Sequence, residues 1–122
     1  MKQTENKLVN LIAQTIYDKK GFNCLTLDVR GVCLMTDYFV IAEGNVDRHV
    51  IAIGRSIVEA LKEAGHPPLH MEGERAGDWE VIDFGEVVVH LFTPDLREKY
   101  SLEEIWKQGK IVDVSIELGK TV

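Results

Sequence analysis

Apolar residues recur at helical spacing in two stretches of this chain. Between residues 5 and 20 they form one stripe, and Lys19-Lys20-Gly21 then supplies the cationic side chains and the glycine that suit a helix end, so we predict an amphipathic N-terminal helix. Asn45 is predicted to be the N-cap of a second helix, which ends before Gly65. The two stripes consist of Leu8, Leu11, Ile12 and Ile16, and of Val50, Ile53, Ile57, Leu61 and Ala64.

Short runs rich in β-branched and aromatic residues predict strands elsewhere in the chain. They cover residues 24–29, 37–42, 69–73, 79–83 and 86–93. With Phe84-Gly85 as the two turn residues, the last two strands form a hairpin in which Asp83 faces Glu86 and Trp79 faces His90. One face of that hairpin then carries Trp79, Val81, Val88 and His90.

The order of the elements indicates the fold class. Thr93-Pro94 and residues 101–104 carry the capping signals of two short helical turns. A helical crossover followed by a hairpin predicts an α/β fold, a single compact domain with a mixed sheet of about five strands and helices packed on it. We assign residues 1–108 to this domain. In the tail, residues 109–122, apolar and polar residues alternate, which suits an extra edge strand, a dimer contact or a segment ordered only by packing.

Composition narrows the class of protein. At 122 residues and 45% hydrophobic, the chain has the size of one domain that folds without stabilising disulfide bonds or metal ions. Cys24 and Cys33 form no C-x-x-C motif and the N-terminus shows no signal or transit pattern, so we expect reduced thiols and a cytoplasmic protein. No apolar run approaches the ~20 residues of a membrane helix, so no direct membrane contact is expected. A net charge of −6 argues against a dominant direct contact with nucleic acid.

The negative charge is concentrated in residues 72–104, here called the acidic window. It holds ten acidic and three basic residues, whereas residues 1–71 hold eight of each and residues 105–122 hold two acidic and three basic. Trp79, Phe92 and Tyr100 lie in the same window. Aromatic residues flanked by carboxylates are typical of a surface that binds a basic protein.

The acidic window also admits an enzymatic hypothesis, because it contains the carboxylates Glu72, Glu74, Asp78, Glu80 and Asp83. The cluster suits magnesium, and a magnesium-dependent nucleotidyltransferase or nucleotide-binding protein would use Glu72, Glu74, Asp78 and Asp83. Against this alternative, Gly44 is followed by Asn45 rather than by serine, and no D-x-D motif occurs. Because carboxylates are mostly exposed, we favour acids that face solvent or a partner.

Trp79 and the histidines each have two interpretations. The four histidines are scattered, which does not suit a zinc site. His90 lies between valine and leucine on a strand, so a structural histidine that is hydrogen-bonded or packed against Trp79 is favoured. Trp79 suits the core because its alternation partners are apolar, and it suits a contact surface because Gly77-Asp78 precedes it. Its charged neighbours favour the contact role, and the same two alternatives hold for Tyr100.

Six motifs occur together along the chain, and each would be a weak signal alone. They are Asp28-Val29-Arg30-Gly31, Asp37-Tyr38-Phe39-Val40-Ile41, Arg48-His49-Val50, Glu72-Gly73-Glu74, Asp78-Trp79-x-Val81-x-Asp83-x-Gly85-x-Val87-x-Val89-His90, and Arg97-x-x-Tyr100-x-Leu102-Glu103-x-x-Trp106. This combination resembles the ribosomal silencing factor family, RsfS, also called Iojap-like. The spacing agrees over about residues 5–107, and the tail after Gly109 lies outside the pattern.

The resemblance implies a small protein related to the nucleotidyltransferase fold without its active site, not an enzyme, with no cofactor and no metal, and often a homodimer. It implies binding to the large ribosomal subunit through the fourteenth large-subunit protein, which blocks subunit joining and represses translation when nutrients are scarce. Together with the acidic window, it predicts these partner-binding residues: Glu72, Gly73, Asp78, Trp79, Asp83, His90, Arg97, Tyr100, Leu102 and Glu103.

Overall fold

The computed structural model describes residues 6–73, 78–99 and 109–112, with only the backbone described for residues 97–99. Three helices and six strands lie in these ranges. The helices are α1 (Lys7–Asp18), α2 (Asp47–Glu63) and α3 (Pro94–Lys99). The strands are β1 (Phe22–Asp28), β2 (Tyr38–Glu43), β3 (His70–Glu72), β4 (Trp79–Asp83), β5 (Val87–Phe92) and β6 (Lys110–Ile111).

The six strands form one sheet in the order β3-β4-β5-β2-β1-β6. β2 and β5 run parallel, and the other four described pairs are antiparallel. Helix α2 lies in the connection that leads from β2 to the β3-β4-β5 meander, and such a crossover is what a parallel pair requires. The predicted α/β fold with a mixed sheet is therefore confirmed.

The start of the tail supplies the sixth strand. Lys110 and Ile111 pair with Asp28 and Leu27, and the Val112 N–H donates to the Thr26 carbonyl at 3.0 Å. Of the three alternatives for the tail, an added edge strand is observed for these residues. Residues 113–122 lie outside the described ranges.

Both long helices pack on one face of the sheet, here called the helix face. The Asn6 side-chain oxygen caps α1 by accepting from the Leu8 and Val9 N–H groups at 3.0 and 3.1 Å. The apolar stripes of α1 and α2 meet the inward-pointing residues of the strands. This core contains Leu8, Val9, Ile12 and Ile16 of α1, Val50, Ile53, Ile57 and Leu61 of α2, and Val40, Ala42, Ile82, Val87, Val89 and Leu91 of the sheet.

Three local predictions were wrong. The N-cap of α2 is Val46, which makes no side-chain capping hydrogen bond, and the Asn45 backbone N–H donates to His49 Nδ1 at 2.9 Å. Ala64 is the exposed C-cap of α2 rather than a member of its apolar stripe. Thirdly, the hairpin register differs by two residues from the prediction, as the pairing of β4 with β5 shows.

In the observed register, Asp83 pairs with Val88 and Trp79 pairs with Phe92. The Phe84 N–H donates to the Val87 carbonyl at 2.9 Å, so Phe84 continues the ladder and the turn falls at Gly85-Glu86. Gly85 has a φ of +93°, a conformation that suits glycine at this turn. Because a shift of two residues preserves the side-chain alternation, the predicted grouping of residues on one hairpin face still holds.

In the part of the chain that the structure describes, none of the helices combines the length and apolarity needed to cross a membrane. Cys24 is exposed and Cys33 is half-buried, and no disulfide joins them.

Candidate partner-binding face

The face of the sheet opposite α1 and α2, here called the open face, brings several predicted site residues together. Strand pairing places Glu72, Val81, His90 and Ile41 side by side across β3, β4, β5 and β2. A neighbouring row contains His70, Asp83, Val88 and Phe39. Since directly paired residues point to the same side of a sheet, these two rows lie on one side of it, and Ile41 is fully buried there.

The centre of the open face is aromatic and only half covered. Trp79 stacks on Phe92 with 5.4 Å between ring centroids, and the His90 ring lies parallel to Phe92 at 6.2 Å. Phe39 contacts His90 from β2 at 5.5 Å. Trp79, Phe39 and His90 are half-buried, whereas Phe92 is fully buried. The stacking of Trp79 on Phe92 shows that its indole packs against the core, and its role as a partner contact stays a prediction.

His90 is a neutral histidine at physiological pH. Burial lowers its pKa from the ordinary value of 6.5 to about 4, because the charged imidazolium would lose its hydration there. Its Nδ1 is buried without a hydrogen-bond partner among the described residues. The predicted structural role is met by ring packing between Phe39 and Phe92 rather than by a hydrogen bond or by direct packing on Trp79.

Carboxylates border this aromatic centre. Glu72 is exposed on β3, where its Oε1 lies 3.1 Å from His70 Nε2. Asp83 is half-buried at the end of β4, and its Oδ1 accepts from the Gly85 N–H at 2.8 Å, which supports the turn. Asp78 is exposed immediately before Trp79, and its carbonyl accepts from the Thr93 N–H at 2.9 Å. An apolar centre with a charged rim is the arrangement found in specific protein interfaces.

Gly73 has a conformational role at this site. Its φ is +83°, which disfavours any residue with a side chain. A Cβ there would also collide with the Trp79 carbonyl on the adjacent strand. Gly73 therefore lets the chain leave β3 while it stays close to β4.

Glu80 contradicts the expectation that the acids of the window face solvent or a partner. It points to the helix face and is only 1% exposed. Gly54 of α2 lies directly over it, and a Cβ at Gly54 would come within 2.7 Å of the Glu80 carboxyl carbon. Alternation along β4 places Trp79 and Val81 on the open face, so Glu80 must point the other way. The sequence showed that Glu80 alternates with its neighbours but not which side the helices cover.

The remaining predicted site residues lie at the edge of the described ranges or outside them. Arg97 lies in α3, within the range where the backbone alone is described. Tyr100, Leu102 and Glu103 fall outside the described ranges, as does Glu74 of the enzymatic alternative. Within residues 6–73, 78–99 and 109–112, no three or more His, Cys, Asp or Glu side chains are arranged to hold a metal ion.

Phe39 is a residue of the open face that was not among the predicted site residues. It joins the surface because β2 pairs in parallel with β5, which places Phe39 beside Val88 and its ring next to His90. Alternation in the run Tyr38–Ala42 signals that Phe39 and Ile41 share a side. The sequence gives no signal for the pairing of β2 with β5.

This architecture, a mixed sheet with α1 and α2 on one face and an acid-rimmed aromatic cluster on the other, is that of a small α/β protein. Sequence comparison gives the family. The family described as "Ribosomal silencing factor during starvation" matches residues 2–121. The chain therefore belongs to the ribosomal silencing factor family, RsfS, and the resemblance found in its motifs is confirmed.

Curated relatives and solved structures agree with this assignment. The chain is 34% identical to the ribosomal silencing factor RsfS of Bacillus subtilis, over 95% of this chain and 98% of that protein. It is 43% identical to the mouse mitochondrial assembly of ribosomal large subunit protein 1, over 80% of this chain and 44% of that protein. A crystal structure of a Chromobacterium violaceum protein, 30% identical, superposes with a TM-score of 0.80 over 94% of this chain and 95% of that one.

Proposed function

We propose that this protein binds the large ribosomal subunit in the cytoplasm through the fourteenth large-subunit protein. By covering the face where the small subunit docks, it represses translation under nutrient limitation. The mechanism is occupancy and uses no catalytic chemistry, cofactor or metal. The free protein is a homodimer.

The observation that carries this proposal is the family match over nearly the whole chain, residues 2–121. Relatives in Bacillus subtilis and Haemophilus influenzae carry the name ribosomal silencing factor. The mouse relative is named for assembly of the ribosomal large subunit. A large-subunit target is consistent with all three names.

The geometry of the open face supports a basic protein as the direct partner. Glu72 and Asp78 are exposed beside the half-buried Trp79, so a cationic partner would meet carboxylates around an apolar centre. Exposed charges of this kind mainly accelerate and orient association, whereas the desolvated centre of an interface supplies most of the affinity. In this proposal the partner contacts Glu72, Asp78 and Trp79 together with Gly73, His90, Arg97, Tyr100, Leu102 and Glu103.

Purified subunits provide the test. Small and large subunits are mixed with magnesium, with and without the protein, and the fraction of joined ribosomes is measured on a sucrose gradient. The parent protein is expected to reduce joining in proportion to its occupancy of large subunits. Joining that stays constant when large subunits are saturated with the protein would refute the occupancy mechanism, and failure to bind large subunits would refute the target.

A pair of charge reversals locates the contact on the sheet. Glu72 is exposed on the open face, and Glu59 is exposed on α2, on the other side of the sheet. Glu72→Lys and Glu59→Lys change the net charge equally, so any difference between them reports position. We expect Glu72→Lys to weaken binding to large subunits about tenfold, which is ~1.4 kcal/mol, and Glu59→Lys to change it less than twofold. Equal effects of the two variants would show that net charge alone governs binding.

A further inference from the structure

The loop between β1 and β2, residues 29–37, presents large apolar side chains to water. Leu34 is fully exposed, Met35 is 86% exposed and Val32 is 47% exposed. Single exposed apolar residues are common on protein surfaces, but three within four positions on one loop form a patch. None of the partner-binding residues in the proposed function lies in this patch.

The base of this loop is ordered. The Val29 carbonyl accepts from the Val32 and Cys33 N–H groups at 3.1 and 2.8 Å, and the Val29 N–H donates to the Asp37 carbonyl at 2.9 Å. Arg30 binds Asp28 through two side-chain hydrogen bonds of 3.0 and 2.7 Å. These hydrogen bonds hold the two ends of the loop in a defined position.

Arg30 adds a second constraint on the loop. Its guanidinium lies 5.4 Å from the centroid of the Tyr38 ring, and its hydrogen bonds hold the pKa of the Asp28 carboxyl below the usual range. Thr36, next to the tip, is buried. A loop whose ends are held in place before binding loses less conformational entropy when a partner covers it.

The loop is continuous with the open face. Cys33 packs against the apolar cluster on that side of the sheet, which contains Leu27, Ile41 and Phe92. Phe39 and Trp79 border the same cluster. The Asp37 and Tyr38 N–H groups both donate to the Glu86 carbonyl at 3.0 Å, which ties the loop to the hairpin turn of the open face. The loop that carries Leu34 and Met35 thus adjoins the Phe39 end of the candidate partner-binding face.

The size of the patch indicates that it acts with that face. Burying two exposed side chains of this size strengthens binding by roughly 100-fold or more, yet a stable protein interface covers about 800 Å² on each partner. Two side chains supply only a fraction of that area, so the tip needs a neighbouring contact surface. The open face is the adjoining one.

The charge of the open face favours a partner other than a second copy. If two copies met through the tip and the open face together, the acidic rims that contain Glu72 and Asp83 would oppose each other, and like charges across an interface disfavour association. A basic protein meets no such repulsion.

We propose that Leu34 and Met35 form a second apolar anchor that inserts into an apolar cleft on the same basic large-subunit protein that contacts the open face. This inference rests on the proposed function and adds binding residues to it. Trp79 and the loop tip then contact the same partner at two ends of a single surface.

The test compares the double variant Leu34→Ser/Met35→Ser with the control Tyr17→Gln. Tyr17 is an exposed aromatic residue, 38% exposed, but it belongs to α1 on the helix face. Dissociation constants for purified large subunits are measured by cosedimentation, and far-UV circular dichroism verifies folding. We expect the double variant to bind at least tenfold more weakly and the control to bind within about twofold of the parent.

Three outcomes overturn the inference and are distinguishable. If the parent binds large subunits and the double variant binds equally well, the anchor is wrong while the proposed function stands. If the double variant loses only self-association, measured by sedimentation velocity of the free protein, a second copy occupies the tip. If the parent itself does not bind large subunits, the proposed function fails and the anchor fails with it.

Discussion

The buried imidazole of His90 makes the stability of the protein depend on pH in a way that one substitution can isolate. In the folded protein, burial lowers its pKa to about 4, whereas the unfolded chain has the ordinary value of 6.5. As the pH falls below 6.5, the unfolded state takes up a proton that the folded state does not. The contribution of His90 is thus neutral above pH 7 and becomes destabilising as the pH falls from 6.5 toward 4.

These two pKa values set the size of the effect. Between pH 7 and pH 5, proton uptake by His90 in the unfolded chain is expected to lower the free energy of unfolding by about 2 kcal/mol. His90→Phe removes the titrating group while it keeps an aromatic ring between Phe39 and Phe92. The other histidines are common to both proteins, so their titration cancels in the difference.

The assay is urea unfolding of the parent and of His90→Phe at pH 7 and pH 5, followed by far-UV circular dichroism. The stability of the variant relative to the parent should rise by about 2 kcal/mol on going from pH 7 to pH 5. The absolute stability of the variant at either pH is not the test, because the new ring changes packing as well. If the two proteins lose stability in parallel, His90 titrates normally in the folded state and burial does not lower its pKa.

Further substitutions probe the core and the candidate anchor. Gly54→Ala should destabilise the protein by about 2 kcal/mol or more although alanine favours helices, because the added methyl group meets the Glu80 carboxylate. Adding Glu80→Ala to the same chain should relieve part of that loss. If Gly54→Ala leaves the thermal unfolding temperature unchanged, α2 can move away from Glu80. Trp79→Ala should weaken binding to large subunits by about 30-fold, equivalent to ~2 kcal/mol. Trp79→Phe, which can still stack on Phe92, should lose less binding affinity. If Trp79→Ala is folded and binds like the parent, Trp79 is not an anchor.

Local patterns in the chain were sufficient for most of the secondary structure. The helical spacing of Ile12, Ile16, Ile53 and Ile57 identified α1 and α2, because an apolar stripe must be buried somewhere. The predicted strand 79–83 matches β4 from Trp79 to Asp83. The acidic window and the family motifs, which need no tertiary information, pointed to a protein partner and to the family that comparison confirms.

Single residues at element ends were less predictable. Asn45 is a residue type that favours the N-cap, yet Val46 occupies that position and the Asn45 backbone N–H donates to the His49 imidazole. The hairpin turn moved to Gly85-Glu86 because Phe84 pairs with Val87. Several turn geometries fit the same few residues, and the ladder that forms decides among them.

The chain by itself determined which residues alternate and where charge accumulates, because both are properties of neighbouring positions. Only the tertiary structure decided which side of each strand the helices cover. That choice buried Glu80 under Gly54, left Trp79 half-exposed and brought Phe39 to His90 through the parallel pairing of β2 with β5. The physical reason is that an alternating strand has two equivalent sides until distant segments pack on one of them.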